Sequence, residues 1–192
     1  KKVAVIGSGP AGLTVAYDLA KMGYQVVIFE ASSVAGGMLR MGIPKFRLPP
    51  EVIDYEIDII KEAGVEILTN TAIGPDLTLN DLFNRGYESI FIAIGTNKSI
   101  PSNIEGENLD GVIHGVGFLQ SVRTGREVDF KDKVVAVIGG GNVALDSVRT
   151  ALRLGAKEAF IIYRRSENEL PIKKEELLEA KSEGIKIHTL LA

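Results

Sequence analysis

Residues 1–30 read KKVAVIGSGPAGLTVAYDLAKMGYQVVIFE, and residues 132–165 read DKVVAVIGGGNVALDSVRTALRLGAKEAFIIYRR. The phrase VAVIG stands in both, at 3–7 and 135–139, and each time it runs into glycines. A short β-branched run, then glycines, then an amphipathic helix and a second apolar run describe a βαβ unit with parallel strands. The first copy predicts a strand over 2–6, a helix from about Ala11 to Met22 and a strand over 26–29. Leu13, Ala16, Leu19 and Ala20 share the inner helical face. The second predicts a strand from Val134, a helix over 142–154 and a strand over 159–163. Gly7 to Gly23 and Gly139 to Gly155 span the same distance, and Leu13 matches Leu145. Two copies so far apart point to two related nucleotide folds rather than a solenoid.

The glycines carry the chemistry. Gly7-Ser8-Gly9-Pro10-Ala11-Gly12 fits the dinucleotide fingerprint: Gly7 for the tight turn, Gly9 for close approach of a pyrophosphate, Gly12 for helix–sheet packing. Helix-start amides and the helix dipole then face the phosphate charge. Glu30 ends the second strand, where a carboxylate accepts hydrogen bonds from both hydroxyls of an adenosine ribose. Gly139-Gly140-Gly141-Asn142-Val143-Ala144 repeats the pattern, with alanine in the third place. Its second strand ends without an acid, in Tyr163-Arg164-Arg165. A guanidinium there attracts a 2′-phosphate that a carboxylate would repel. The bland alternative is two solvated arginines after an edge strand. Two cradles of opposite rim charge imply two unlike dinucleotides, a flavin and a nicotinamide between which a hydride passes.

Between the copies, the sequence predicts a Gly/Pro-rich loop over 31–50 and a helix over 51–63 with Val52, Tyr55, Ile59 and Ile60 inward. Strands follow over 65–68 and, as a buried strand, over 89–94, with short helices over 79–84 and 115–122. Residues 95–132 lack periodicity, and the domain hinge is placed near Glu105 to Gly111. This gives a flavin-binding first segment over 1–106 and a nicotinamide-binding domain over 107–192. A charged helix (173–182) and a strand (185–190) close the chain.

Other signals exclude more than they suggest. The net charge of −3 and the lack of a polybasic tract argue against a nucleic-acid surface. No apolar run is long enough to cross a bilayer. Cysteine is absent, which removes disulfides and thiolate-bound iron–sulfur sites from these residues; a cytoplasmic setting is the default. His114 is read as a loop residue, and His188 lacks partners for a metal or a triad. Glu175, Glu176 and Glu179 are read as a wet helix face. Asp146 is read either as orienting the second loop or as solvated. Met22, Met38 and Met41 are read as core fillers. No catalytic side chain and no metal ligand is assigned.

Five residues separate Glu30 from Gly36-Gly37, and GGMLRMGIPKFRLPPEV follows over 36–52. With TNTAIGPDLTLNDL (69–82), FIAIGT (91–96), GGGNVALDSVRTALRLGA (139–156) and YRRSENELP (163–171), the chain resembles a family of two-dinucleotide flavoproteins. The family is typified by the small (beta) subunit of NADPH-dependent glutamate synthase. It includes the FAD/NADPH part of dihydropyrimidine dehydrogenase and the large subunit of bifurcating ferredoxin–NADP oxidoreductases. The resemblance implies that Gly7 to Ala11 surround the FAD pyrophosphate and that Glu30 and Ala31 meet the ribose. It implies that Gly36, Gly37 and Met38 line the way to the flavin, and that Arg47 contacts FAD. Ile73 would meet the adenine, and Ala93 to Thr96, with Gly95, would close the first FAD segment. For the second nucleotide, Gly140 to Val143 would hold the NADPH pyrophosphate and Arg164 and Arg165 the 2′-phosphate. Some relatives carry a further arginine near the place of Pro171, so NADH is kept as the alternative donor.

The resemblance implies electron delivery to an iron–sulfur domain or subunit, such as the glutamate synthase large subunit. It also implies a cysteine-rich domain before Lys1 and a return to the flavin domain after Ala192. Both nucleotide folds are therefore expected to be incomplete in this sequence, and an uncovered strand edge admits a homodimer. The rival readings are a FAD-only oxidase or monooxygenase and a non-catalytic nucleotide-binding subunit of a larger redox complex.

Overall fold

The structure is a computed structural model, and it describes every residue except 98, 102, 127 and 192. The chain divides into two compact units, Lys1–Lys98 and Ser99–Ala192.

In the first unit, β1 (Lys2–Ile6) leads through α1 (Pro10–Lys21) to β2 (Gln25–Phe29). Then follow α2 (Met38–Met41), α3 (Pro50–Glu62), β3 (Glu66–Leu68), α4 (Leu79–Asn84) and β4 (Ser89–Ile92). The four strands pair in parallel in the order β3-β2-β1-β4. Because side chains alternate along a strand, a central parallel strand needs cover on both faces. Val5, Val26 and Ile28 pack with Leu13 and Ala16 of α1 and Ile53 and Ile57 of α3. Ala4, Ile6, Val27 and Phe29 pack on the other side with Leu77, Leu82 and Tyr87.

Four expectations change here. The strand expected to be buried over 89–94 ends at Ile92 and leaves Phe91 and Ile92 exposed. The loop over 31–50 contains α2, too short for its four residues to show a period. Val52 and Tyr55 lie in solvent, 47% and 67% exposed, and α3 buries Ile53 and Ile57 instead. Two apolar stripes run along α3, and the one that meets α1 and the sheet wins. Met22 is no core filler: it caps the end of α1 at 70% exposure.

The second unit runs α5 (Gly115–Arg123), β5 (Val134–Ile138), α6 (Asn142–Arg153), β6 (Glu158–Tyr163), α7 (Lys174–Ser182) and β7 (Lys186–Thr189). A single 3-10 turn, Glu167–Glu169, lies between β6 and α7. The three strands are parallel in the order β5-β6-β7. Leu145 and Val148 of α6 pack with Ala159, Ile161, Ala180 and Ile185, while Phe118 and Leu119 of α5 meet Ala151. On the opposite face of β5, Val134 and Ile138 remain exposed. His114 is the residue that precedes α5 as its N-cap.

Asp146 is buried, so the solvated alternative for it falls. The acidic face of α7 is also only partly wet. Glu179 and Glu183 meet Arg149, whose side chain is 7% exposed, at 3.3 and 2.6 Å. Glu183 accepts two further bonds from Arg153, both 2.8 Å. The Arg153 and Arg149 guanidiniums, outweighing partial burial, hold the Glu183 carboxyl down to about 2 from its ordinary 4.5. A depressed carboxyl lends stability that is complete above the unfolded value and is lost as pH falls through the folded one. The α6–α7 clasp should therefore weaken between about pH 4.5 and pH 2. Urea midpoints across that range should fall less steeply for Glu183→Gln than for the native chain; parallel curves would refute the assignment.

Candidate dinucleotide-binding site

The turn from β1 to α1 is built by close approach. Gly7 holds φ +99, and a Cβ on it would stand 2.4 Å from the Ala93 carbonyl oxygen. A Cβ on Gly12 would stand 2.0 Å from the Gly7 oxygen. Gly9 is different: its Cβ would meet nothing within 4 Å, so its open side can admit a ligand. Gly9 caps α1 with no side-chain hydrogen bond and Pro10 takes the first turn, where a missing amide costs nothing. By contrast Thr78 and Asp81 close the start of α4 with a reciprocal capping box. The start of α1 thus has no side-chain cap, and Gly9 leaves an open side at its positive dipole end, as a diphosphate requires.

Glu30, 7% exposed, lies beneath this turn. Its Oε2 accepts from the Ser8 amide at 2.9 Å and from the Ser8 hydroxyl, and its Oε1 from the Ser32 amide at 2.8 Å. Burial pushes the carboxyl up, but the Ser8 and Ser32 bonds together overcome it and hold the group below its ordinary value. It is therefore ionised at neutral pH and acceptor-only, with lone pairs beyond those three bonds for a sugar diol.

Gly36 donates to the Ser8 hydroxyl and carbonyl, both at 3.1 Å. Gly37, at φ +50, comes so near that its Cβ would lie 2.7 Å from the Gly9 Cα. The structure thus brings Gly7 to Gly12, Glu30, Gly36, Gly37 and Ala93 together, and Met38 opens α2 directly after Gly37. Ala31 is exposed beside Glu30. Arg47 is half-buried in a turn in which its amide bonds to Pro44 at 3.0 Å. Ile73 packs against the second core cluster, and Gly95 and Thr96 are exposed past the end of β4.

The second turn follows the same plan with different chemistry. Gly139 holds φ +136, and Gly141 caps α6 without a side-chain bond, its Cβ position open. Asn142 and Val143 begin the helix in the open, and Ala144 is buried in the third place. The register decides what faces it. In the first unit Ile6 pairs with Phe29 and the Gly7 amide bonds the Phe29 carbonyl at 2.8 Å. In the second, Ile138 pairs with Ile162 and the Gly139 amide bonds the Ile162 carbonyl at 3.0 Å. The residue after each pair is Glu30 in one unit and Tyr163 in the other. Counting 23 residues from the first glycine misses this, because the connection before β6 is one residue longer. Arg164 and Arg165 follow, both exposed.

A sequence profile of the pyridine nucleotide-disulphide oxidoreductases matches residues 1–190. The chain belongs to that family. It is 49% identical over its whole length to the beta subunit of an NADP(+)-dependent formate dehydrogenase from Moorella thermoacetica, of which it covers 27%. It is 43% identical over 97% of its length to the NADPH-Fe(3+) oxidoreductase beta subunit of Geobacter sulfurreducens, covering 28%. The glutamate synthase [NADPH] small chain of Escherichia coli is 38% identical over 96% of this chain, which covers 41% of it. The chain thus spans between about a quarter and two fifths of these relatives. Among solved structures, Mycobacterium tuberculosis FprA in complex with NADPH shares the fold at a TM-score of 0.82. The two are 24% identical, over 94% of this chain and 47% of FprA. Lactococcus lactis thioredoxin reductase also shares it, at a TM-score of 0.67 and 22% identity, over 98% of this chain and 64% of the reductase. With no cysteine in the sequence, no residue of this chain supplies a disulphide. No helix among the described residues is long and apolar enough to cross a membrane.

Proposed function

We propose that the chain is the nucleotide-holding part of an NADPH-dependent flavoprotein, with FAD on residues 1–106 and NADPH on residues 107–192. The observation that carries this is the exchange of Glu30 for Tyr163-Arg164-Arg165 at one structural position behind two like cradles. The open Gly9 and Gly141 faces fit a pyrophosphate each. Glu30 would bind the free ribose hydroxyls of FAD, and Arg164 and Arg165 the 2′-phosphate of NADPH. NADH is the weaker alternative donor. Gly36, Gly37 and Met38 continue the first cradle, and Arg47, Ile73 and Ala93 to Thr96 are proposed to complete the FAD site.

When bound, FAD would accept a hydride from NADPH and release the electrons toward an iron–sulfur centre. The chain itself binds, aligns and shields; its side chains need move no proton in that step. The electron acceptor is proposed to be an iron–sulfur domain or subunit; that relatives are named as beta subunits supports a partner chain. The cytoplasm, where NADPH is at hand, is the proposed setting. The test is anaerobic mixing of the FAD-loaded chain with NADPH. Bleaching of the flavin absorbance supports the reading, and a flavin that stays oxidised while NADPH binds would reduce the chain to a binding module.

A further inference from the structure

We infer that Tyr163 is a positioning residue that sets the second cradle's choice of nucleotide: its ring replaces the ribose-binding carboxylate, and its hydroxyl pins the turn presenting Arg164 and Arg165. This rests on the reading that the second cradle takes a 2′-phosphorylated nucleotide.

The ring lies against the backbone of Gly140. A Cβ there would stand 2.4 and 2.5 Å from its Cε2 and Cδ2, and 2.8 Å from Leu170 Cδ2. Gly140 holds the place of Ser8, so the serine–glutamate latch of the first cradle is exchanged for a glycine–tyrosine contact. The exchange removes the anion and closes the space it would occupy.

The hydroxyl donates to the Glu169 carbonyl at 3.0 Å, which closes the turn over residues 163–169. That turn is held again from inside. Ser166 donates to the Glu169 carboxylate from its amide at 3.0 Å and its hydroxyl at 2.8 Å. The Glu169 and Leu170 amides bond Ser166 and Glu167 at 3.1 and 3.2 Å. From the end of β7, the Leu190 amide bonds the Arg165 carbonyl at 3.1 Å and the Leu191 amide the Tyr163 carbonyl at 3.2 Å. Leu190 adopts φ +60 at this point. The backbone at the root of both arginines is thus tied on three sides. Long guanidinium side chains lose less freedom on binding when their root is already fixed.

The experiment titrates the chain with adenosine 2′,5′-bisphosphate and with 5′-AMP, which differ only in the 2′-phosphate, and follows amide exchange over residues 166–170. Tyr163→Phe keeps the ring and loses one neutral hydrogen bond. It should weaken the bisphosphate roughly fivefold, leave 5′-AMP unchanged and speed exchange in the turn. Tyr163→Glu restores the carboxylate and should reverse the preference between the two probes. If both variants keep the native affinity ratio while exchange shows the turn loosened, Tyr163 is merely structural and the inference fails. If the native chain itself does not prefer the bisphosphate, the reading of the second cradle fails and takes the inference with it.

Discussion

Alanine at both Arg164 and Arg165 should weaken NADPH binding roughly a hundredfold and leave NADH binding within about twofold. A hydrogen bond to a charged group contributes about 1.5–3 kcal/mol, and each factor of ten in affinity is about 1.4 kcal/mol. Both side chains are exposed, so the low end applies, and two guanidiniums then give about two decades. The same exposure means that the double variant removes no core contact and should melt with the native chain. Equilibrium titration with the two dinucleotides reads the effect directly. Equal losses for both would place the arginines elsewhere than on the 2′-phosphate. The effect should also shrink with added salt, because exposed charges are screened.

Gly12→Ala should unsettle the first unit by about 3 kcal/mol, at the upper end of overpacking costs, and release its nucleotide. The new methyl would begin 2.0 Å from the Gly7 carbonyl oxygen, a backbone atom that no rotamer change can move. Helix α1 must then lift from β1, which opens the turn that Ser8 and Glu30 hold together. For a chain of this size that loss lowers the melting temperature by roughly 6–12 °C. The second unit tolerates Ala144 at the same place, so the demand belongs to the first turn alone. Gly9→Ala is the companion variant. Its φ of −68 suits any residue and its Cβ meets no protein atom. It should melt like the native chain yet lose FAD, because the methyl would stand where the proposed diphosphate comes close. A Gly12→Ala chain of native melting temperature, or a Gly9→Ala chain of native FAD affinity, would contradict this account of the cradle.

Much of the fold was legible because each βαβ copy is locally self-consistent. The β-branched runs of β1 and β2 and the α1 stripe of Leu13, Ala16, Leu19 and Ala20 agree with burial in the structure, while β4 and β5 leave Phe91, Ile92, Val134 and Ile138 exposed. On α3 the pattern turns Val52 and Tyr55 inward, and packing against α1 and the sheet turns Ile53 and Ile57 inward instead. The ion cluster of Arg149, Arg153, Glu179 and Glu183 was invisible for a similar reason. Its members lie on different helices, and charge on one helix looks like solvated surface until the other arrives.

The site was legible where spacing carries the chemistry. Gly7, Gly9, Gly12 and Glu30 announce themselves by position, and so do Gly139, Gly141 and the arginine pair. What counting could not supply is register. By spacing, Tyr163 is only the residue before the arginines; the strand pairing shows it to be the counterpart of Glu30. The fall of Gly37 onto Gly9 is likewise a contact of two loops, set by positive φ at Gly36 and Gly37 rather than by any periodic pattern.

On the proposed reading, two cradles of opposite rim chemistry seat two unlike dinucleotides. Titration calorimetry of the chain with FAD and NADPH, each alone and each in the presence of the other, tests it most directly. Two independent sites, one equivalent of each ligand and no competition, are the predicted result. Displacement of FAD by NADPH from a single shared site would contradict it.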